Sequence, residues 1–305
     1  MLENENQAEQ YPIADATNVA ILMHRDAHFG GSFDIMLEYY QKDGKGVSSD
    51  FSIDQIYALA QMEKNMHQNL APLLLSGPDA EKVAKVKEVY KNLRSLYEVE
   101  DPKNKYPRLI ADLILSEEEV PEKEIEAIVA EKGFIVRALL ELLRSEDFHD
   151  PLFPGYGSAP SYAIQCLGKI GDKRAIISLF EAIGEEDFFS EDVVIDALYG
   201  IGEPAKAFLL KVLHGRPLNL DNERAAIALV AFKDDPEVAS ECFKMLKDRE
   251  VRKQIPLATF LALACEGLQS PSERQSFVEL ASDVATPKIL HQDIKAIAQH
   301  WLHHQ

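Results

Sequence analysis

Apolar residues recur along this chain at intervals of three and four, most regularly in its second half. Ala163, Cys166, Leu167 and Ile170 stand at i, i+3, i+4 and i+7, the stripe of an amphipathic helix. The spacing returns 31 residues later at Val194, Ala197, Leu198 and Ile201, and after 31 more at Ala225, Ala228, Leu229 and Phe232. A step of 32 then gives Leu257, Phe260, Leu261 and Ala264. A second stripe follows each first one: Ile176, Leu179, Phe180 and Ile183; Ala205, Phe208, Leu209 and Val212; Ala239, Cys242, Phe243 and Leu246; Phe277, Leu280, Ala281 and Val284. The pattern predicts repeated helix pairs, which must stack because one pair cannot bury its apolar face alone.

Turn chemistry divides the pairs in the same places. Gly171 and Gly202 stand where a helix ends in a left-handed residue, and Pro204 and Pro236 stand where the next begins. Ser270, Pro271 and Glu273 form a start signal, with a capping hydroxyl, a proline in the first helical turn and a carboxylate three residues past the cap.

The stretch LGKIGDKRAIISL, residues 167–179, resembles the HEAT repeat, in which a Leu-Gly-x-Ile-Gly-Asp type turn joins the two helices. The acid recurs at Asp172, Glu203 and Asp234, and the likeness covers about residues 160–285. It weakens where Phe232 and Lys233 replace the Ile-Gly pair and where Pro256 enters a first helix. The resemblance implies an all-α fold, a right-handed alpha-alpha superhelix of HEAT-like helix pairs whose second helices line a concave surface. It implies no particular chemistry, since a fold hosts many functions.

Before residue 160 the pattern is helical but less even. Residues 52–75 predict a long helix opened by Ser52 and Gln55 in capping-box spacing and kinked at Pro72. In residues 80–97, Val83, Val86, Tyr90, Leu93 and Tyr97 face inward, while Lys82, Lys85, Lys91 and Arg94 make a basic outer stripe. Residues 101–107 break the pattern, which suggests a flexible N-terminus at 1–12, an N-terminal helical portion at 13–105 and a HEAT-like repeat solenoid at 106–305. Another helix pair is expected around Gly133. Residues 148–160, rich in Pro and Gly, predict a long loop whose Phe153 and Tyr156 either seal a joint between repeats or serve a site.

Composition narrows the function classes. In 305 residues, 46% apolar and 27% charged content suits a folded chain. Its 51 acids against 32 bases give a net charge of -19, which disfavours nucleic acid and anionic membrane as ligands. No run is apolar enough for a membrane span, and the polar, acidic first residues do not read as a secretory signal. Cys166, Cys242 and Cys265 sit within apolar helical stripes and are expected to be buried free thiols, which fits a cytoplasmic protein.

Only residues 22–34 suggest a chemical site. On a helix His24 and His28 share a face and are weak candidates for a metal, although two imidazoles alone do not make one and no metal is expected. His24-Arg25-Asp26 echoes the kinase catalytic loop, but the downstream Asn, a Gly-rich loop and a strand Lys are missing. Gly30 and Gly31 read instead as the turn of a helix pair, with Arg25 and the histidines in cap or turn hydrogen bonds. Iron-dependent hydroxylases of HEAT-like build would show His-Glu pairs, which this chain lacks, and HEAT-like DNA glycosylases need a cationic groove. No set of nucleophile, base and oxyanion donors is apparent, so neither an enzyme nor a cofactor is expected. The rival reading is a metal- or small-molecule-dependent activity of the HEAT-like class, such as a lyase, centred on residues 24–34 and closed by the loop at 148–160.

The leading expectation is a protein-binding scaffold or adaptor. Its partner-facing positions would be Arg174, Glu181, Lys206, Lys211, Glu241 and Lys244 on the second helices. Asp187, Glu191, Asp192 and Asp196 would form an acidic edge, and Phe153 and Tyr156 stand in the loop. Such a surface would suit a basic or amphipathic protein segment.

Overall fold

The computed structural model describes residues 15–98, 101–184 and 191–303, and among them the chain is all-helical, with no strand. The first helices are α1 (Ala16–His28), α2 (Phe33–Gln41), α3 (Ile53–Met66), α4 (Ala71–Leu74), α5 (Gly77–Ser95), α6 (Lys105–Leu115), α7 (Glu122–Ala130), α8 (Val136–Leu143) and α9 (Glu146–His149). Then come α10 (Ala159–Ile170), α11 (Ile176–Glu181), α12 (Glu191–Ile201), α13 (Glu203–Leu213), α14 (Leu220–Leu229), α15 (Pro236–Leu246), α16 (Arg249–Lys253), α17 (Ile255–Ala264), α18 (Pro271–Leu280) and α19 (Lys288–His303). None of these helices is long and apolar enough to cross a membrane. Contacts divide the chain into two compact units, one of residues 1–127 and 144–160 and one of residues 128–143 and 161–305. Residues 101–107, expected to mark a boundary, fall within the first unit.

In the first unit local chemistry sets the helix ends. The Asp15 carboxylate accepts from the Asn18 backbone at 2.7 Å to open α1. Gly30 and Gly31, at φ 61 and 81, turn the chain back after it. The box of Ser52 and Gln55 opens α3 as expected, but the helix stops at His67, which adopts φ 50, and Pro72 starts α4 instead of kinking one long helix. A proline fits a first turn, where its missing N–H leaves no bond unmade. The core gathers Ile21, Leu22, Phe33, Met36, Ile56, Leu59 and Leu70 from α1, α2, α3 and the start of α4. Within it Arg25 is fully buried, donating to Asp26 at 2.7 Å, Glu63 at 2.7 Å and Asn69 at 3.0 Å, with Phe33 4.5 Å beneath its guanidinium. Arg25 thus ties α1 to α3 and to the turn after it, beyond the cap or turn bonds expected of it.

In the second unit α12 packs on α13 as the stripes predict, while α14 packs most closely on α13 and α17, and α18 on α19. Gly171 and Gly202 adopt positive φ, and Pro204 and Pro236 lie in the first turns of α13 and α15. Pro256 is tolerated because it too falls in a first turn, that of α17. First helices α12, α14 and α17 pack in succession, and second helix α13 packs on α15. Between α10 and α12 the approach is so close that a Cβ on Gly168 would lie 2.6 Å from Ala197 Cα. Polar ties recur about one period along the chain: Lys206 to Asp235 at 2.8 Å, Lys233 to Glu266 at 2.8 Å, Ser240 to Glu273 at 2.9 Å, and Arg252 to Asp283 at 2.8 Å.

Two details differ from expectation. The Glu273 carboxylate accepts from Ser240 and not from the backbone of Ser270, so the start signal marks the first turn of α18 without closing a capping box. Val284 lies past the end of α18 and is fully exposed, so the fourth second stripe stops at Ala281.

Candidate functional site

The first unit gathers histidines and tyrosines from four segments. His24 and His28 sit one turn apart on α1 with ring centroids 4.6 Å apart, His24 only 6% exposed. Tyr39 and Tyr40 come from α2, Tyr90 from α5, and Tyr156 from the loop before α10. The Tyr156 ring centroid lies 4.8 Å from that of His28 and 6.3 Å from that of His24, while Tyr40 stands 5.9 Å from His24.

Backbone geometry drives Tyr156 inward. Gly155, Tyr156 and Gly157 have φ of 86, 55 and 78, three consecutive residues in the left-handed region. A tyrosine there is held against its own preference, and such strain persists only where the surroundings over-determine it. Gly46 makes room, since a Cβ on it would fall 2.2 Å from the Tyr156 ring. Phe153 anchors the same loop, buried against Ala27 and Val86 with the Lys85 ammonium 5.5 Å from its ring centre. Lys85 pairs with Asp147 at 2.6 Å, and Lys82 pairs with Asp150. Two lysines of the α5 stripe therefore meet one acid of α9 and one of the loop. The loop expected to be functional or sealing is laid directly on the histidine segment.

A chain of polar groups runs out from the rings. His28 Nδ1 and the Tyr90 hydroxyl are 2.8 Å apart, and the Tyr90 and Tyr39 hydroxyls both interact with that of Tyr156. The Tyr39 hydroxyl lies 2.9 Å from Glu117 Oε2 and 2.9 Å from the Lys45 carbonyl. Burial lowers the pKa of His24 to about 4 and that of His28 to about 3, with the His24 charge adding to the effect at His28, so both imidazoles are neutral near pH 7. The Leu152 carbonyl near His28 opposes that shift, yet neither His24 Nε2 nor His28 Nε2 makes a hydrogen bond of good geometry, and both atoms are buried. Burial also raises the phenols, Tyr40 to about 12 and Tyr156 upward with help from Glu117, while Tyr39 and Tyr90 favour the ionised form of Tyr156.

Two open grooves adjoin this unit's polar groups. One, of about 390 Å³, is lined by Ser32, Phe33, Asp34, Glu63, Lys64 and Asn69, among others. The other, of about 450 Å³, is lined by the Lys82, Lys85, Asp147 and Asp150 pairs. Among the described residues no three of His, Cys, Asp and Glu converge on a point that a metal ion could share.

On the second unit the polar positions scatter: Arg174 stands in the turn before α11 and not on a second helix, Glu181, Lys206, Lys211, Glu241 and Lys244 lie on α11, α13 and α15, and Glu191, Asp192 and Asp196 lie on the first helix α12. Arg174 is exposed and forks onto Asp172 at 2.6 Å while donating to the Gly133 carbonyl. Lys206 is buried among Asp235 at 2.8 Å, Glu203 at 2.9 Å and Glu237 at 3.0 Å, so its ammonium serves the joint between α13 and α15. Those carboxylates hold its pKa above the usual lysine value. Glu241 pairs with Lys244 at 2.5 Å and with His214 at 3.1 Å. Glu181, Lys211, Asp192 and Asp196 are exposed, Glu191 is half-buried, and Asp187 lies outside the described residues.

Sequence reasoning found His24, His28, Phe153 and Tyr156 but not Tyr39, Tyr40, Tyr90, Glu117 or Gly46. Tyr90 reads along the chain as one more inward residue of α5, and Glu117 as one member of an acidic block. No family model matches the chain, and neither a curated protein nor a solved structure does.

Proposed function

We propose that this protein is a cytoplasmic scaffold of HEAT-like helix pairs that holds a basic or amphipathic protein segment along its second helices. The observation that carries this reading is the layered packing in the second unit, first helix on first helix through α12, α14 and α17, and second on second through α13 and α15. Ties one period apart, such as Lys206 to Asp235 and Ser240 to Glu273, fit a stacked array whose units contact only their neighbours. The outer positions of α11 offer both chemistries an amphipathic partner needs, since Ile177 is 59% exposed and Glu181 lies one turn on. Three buried free thiols suit a reducing compartment.

The test is affinity capture with the full chain at low and moderate salt, comparing the wild type with Ile177→Glu and with Glu191→Gln, Asp192→Asn and Asp196→Asn combined. A protein retained by the wild type, lost with Ile177→Glu and weakened by salt supports the reading. Retention of the same protein by every variant removes the assigned surface, and retention of none removes the scaffold.

A further inference from the structure

We propose that residues 150–158 form an acid-released strap, in which Tyr156 lies on His24 and His28 while both rings are neutral and leaves them when they gain protons. The device is independent of the scaffold surface on the second unit. The two imidazoles stand one helical turn apart on α1 with centroids 4.6 Å apart. Phe29, Phe51 and Tyr40 lie 5.5, 5.7 and 5.9 Å from the His24 ring, and Tyr156 reaches both imidazoles from the strap. His24 Nε2 and His28 Nε2 are buried without a hydrogen bond of good geometry, so a proton added to either ring meets aromatic walls and the like charge of its neighbour.

Among the described residues the elements around the pair offer that charge no direct counterion. Tyr40 comes from α2 and Tyr90 from α5, where Arg94 lies 5.4 Å from the Tyr90 ring centre and adds a like charge. Arg25 and Asp26 on α1 are engaged with each other, with Glu63 of α3 and with Asn69, and α4 carries no titratable side chain. Lys45, in the segment that leads to Phe51, donates to the Ser116 carbonyl. Glu117 reaches the rings only through the hydroxyls of Tyr39, Tyr156 and Tyr90. On the strap the Leu152 carbonyl gives His28 some relief, but burial outweighs it. The strap also has the weakest hold of these elements. Gly155, Tyr156 and Gly157 are strained in the left-handed region, and the tie of Asp150 to Lys82 is partly exposed to water, where an ion pair contributes little. It therefore yields before the helices do.

Burial holds the pKa of His24 at about 4 and that of His28 at about 3, against 6.5 for a solvated imidazole, so the closed strap binds fewer protons than the open one. Closure is at full strength above about pH 6.5 and weakens as the pH falls toward about 4, about 10-fold per pH unit for each ring and about 100-fold for the pair.

The experiment follows hydrogen exchange of the full-length protein from about pH 6 to about pH 4.5, each rate divided by the intrinsic rate at that pH, with opening of the strap peptides expected to rise about 100-fold per pH unit. Peptides of α3 and of the second unit should keep their protection. His24→Gln should reduce the slope to about 10-fold per pH unit, and His24→Gln with His28→Gln should remove it. Tyr156→Phe removes the hydroxyl and no imidazole, so the strap should open more at every pH with the slope unchanged. Circular dichroism shows whether each variant is folded. If the glutamine variants are not, the histidine ring resonances of the wild type decide, since His24 and His28 should take up their protons as the strap opens. A strap that does not open with acid in the folded wild type, or opens equally in the double glutamine variant, overturns the proposal. So do rings that stay neutral while the strap opens, and loss of protection in α3 with the same slope, which would mean that the whole first unit unfolds.

Discussion

The Arg25 guanidinium meets the Glu63 carboxylate at 2.7 Å while its own side chain exposes no surface to solvent. Asp26 and Asn69 take its remaining donors, so a full positive charge sits inside the first unit with every arm engaged. Removing one partner from such a pair strands the other, a cost of about 3–5 kcal/mol. Arg25→Ala should therefore loosen α1 and α3 together, and Arg25→Lys should not restore them, because an ammonium lacks the planar fork that reaches three acceptors. Hydrogen exchange resolved by peptide checks this. Protection of α1 and α3 equal to that of the wild type in Arg25→Ala would show that the pair contributes little.

In the second unit backbone proximity gives a sharper expectation. A Cβ on Gly168 would meet Ala197 Cα at 2.6 Å, and neither atom belongs to a side chain that can swing aside. Gly168→Ala should force α10 and α12 apart and lower stability by about 1–3 kcal/mol, the range for overpacking. Gly77→Ala is the control, since nothing lies within 4 Å of its added carbon. Urea unfolding followed by the fluorescence of Trp301, which lies in the second unit, should show an early midpoint for Gly168→Ala and a wild-type midpoint for Gly77→Ala.

What the chain reveals by itself follows the distance over which each signal acts. The stripes of α10 to α15 were legible because period and capping are local, and Gly171, Gly202 and Pro236 end or begin helices where they stand. That the 148–160 loop closes over the histidine segment was part of the rival reading, but the contact of Tyr156 with His28 itself was not legible. It joins residues far apart in sequence, and it needs Gly46 to be small and three left-handed residues in a row, neither of which any spacing along the chain announces. Ser270 and Glu273 show the boundary between the two cases: the local signal placed the helix start, but a tertiary partner, Ser240, took the carboxylate.

Asn222 closes the end of the preceding helix. Its amide nitrogen donates to the carbonyls of Val212 at 3.0 Å, Leu213 at 2.9 Å and Gly215 at 3.1 Å, and its oxygen accepts from the Asn219 backbone at 2.7 Å. The residue is 1% exposed, so water cannot readily replace it. Asn222→Ala should cost about 1–3 kcal/mol through the stranded carbonyls. Asn222→Asp should cost more, because it turns a donor into a charged acceptor facing those oxygens. Thermal unfolding should rank the wild type above Asn222→Ala and that above Asn222→Asp; an aspartate variant as stable as the wild type would contradict this geometry.

The three thiols test the phasing of the helices on which the second unit depends. Cys166, Cys242 and Cys265 are fully buried, and burial pushes the pKa of Cys166 and Cys242 up to about 12 and that of Cys265 well above the usual thiol value. Even at pH 9 the native protein should hold all three as neutral thiols, slow to react because the thiolate is the nucleophile. Cys242 and Cys265 lie where α15 packs against the turn that ends α17, so opening that joint exposes both. Mass spectrometry of a native labelling time course should then show these two modified together, at a rate that rises with urea, while Cys166 on α10 follows its own course. Rapid labelling of Cys166 without denaturant would mean that its stripe faces outward and that α10 is wrongly phased. Independent labelling of Cys242 and Cys265 would mean that α15 and α17 separate without opening their shared interior.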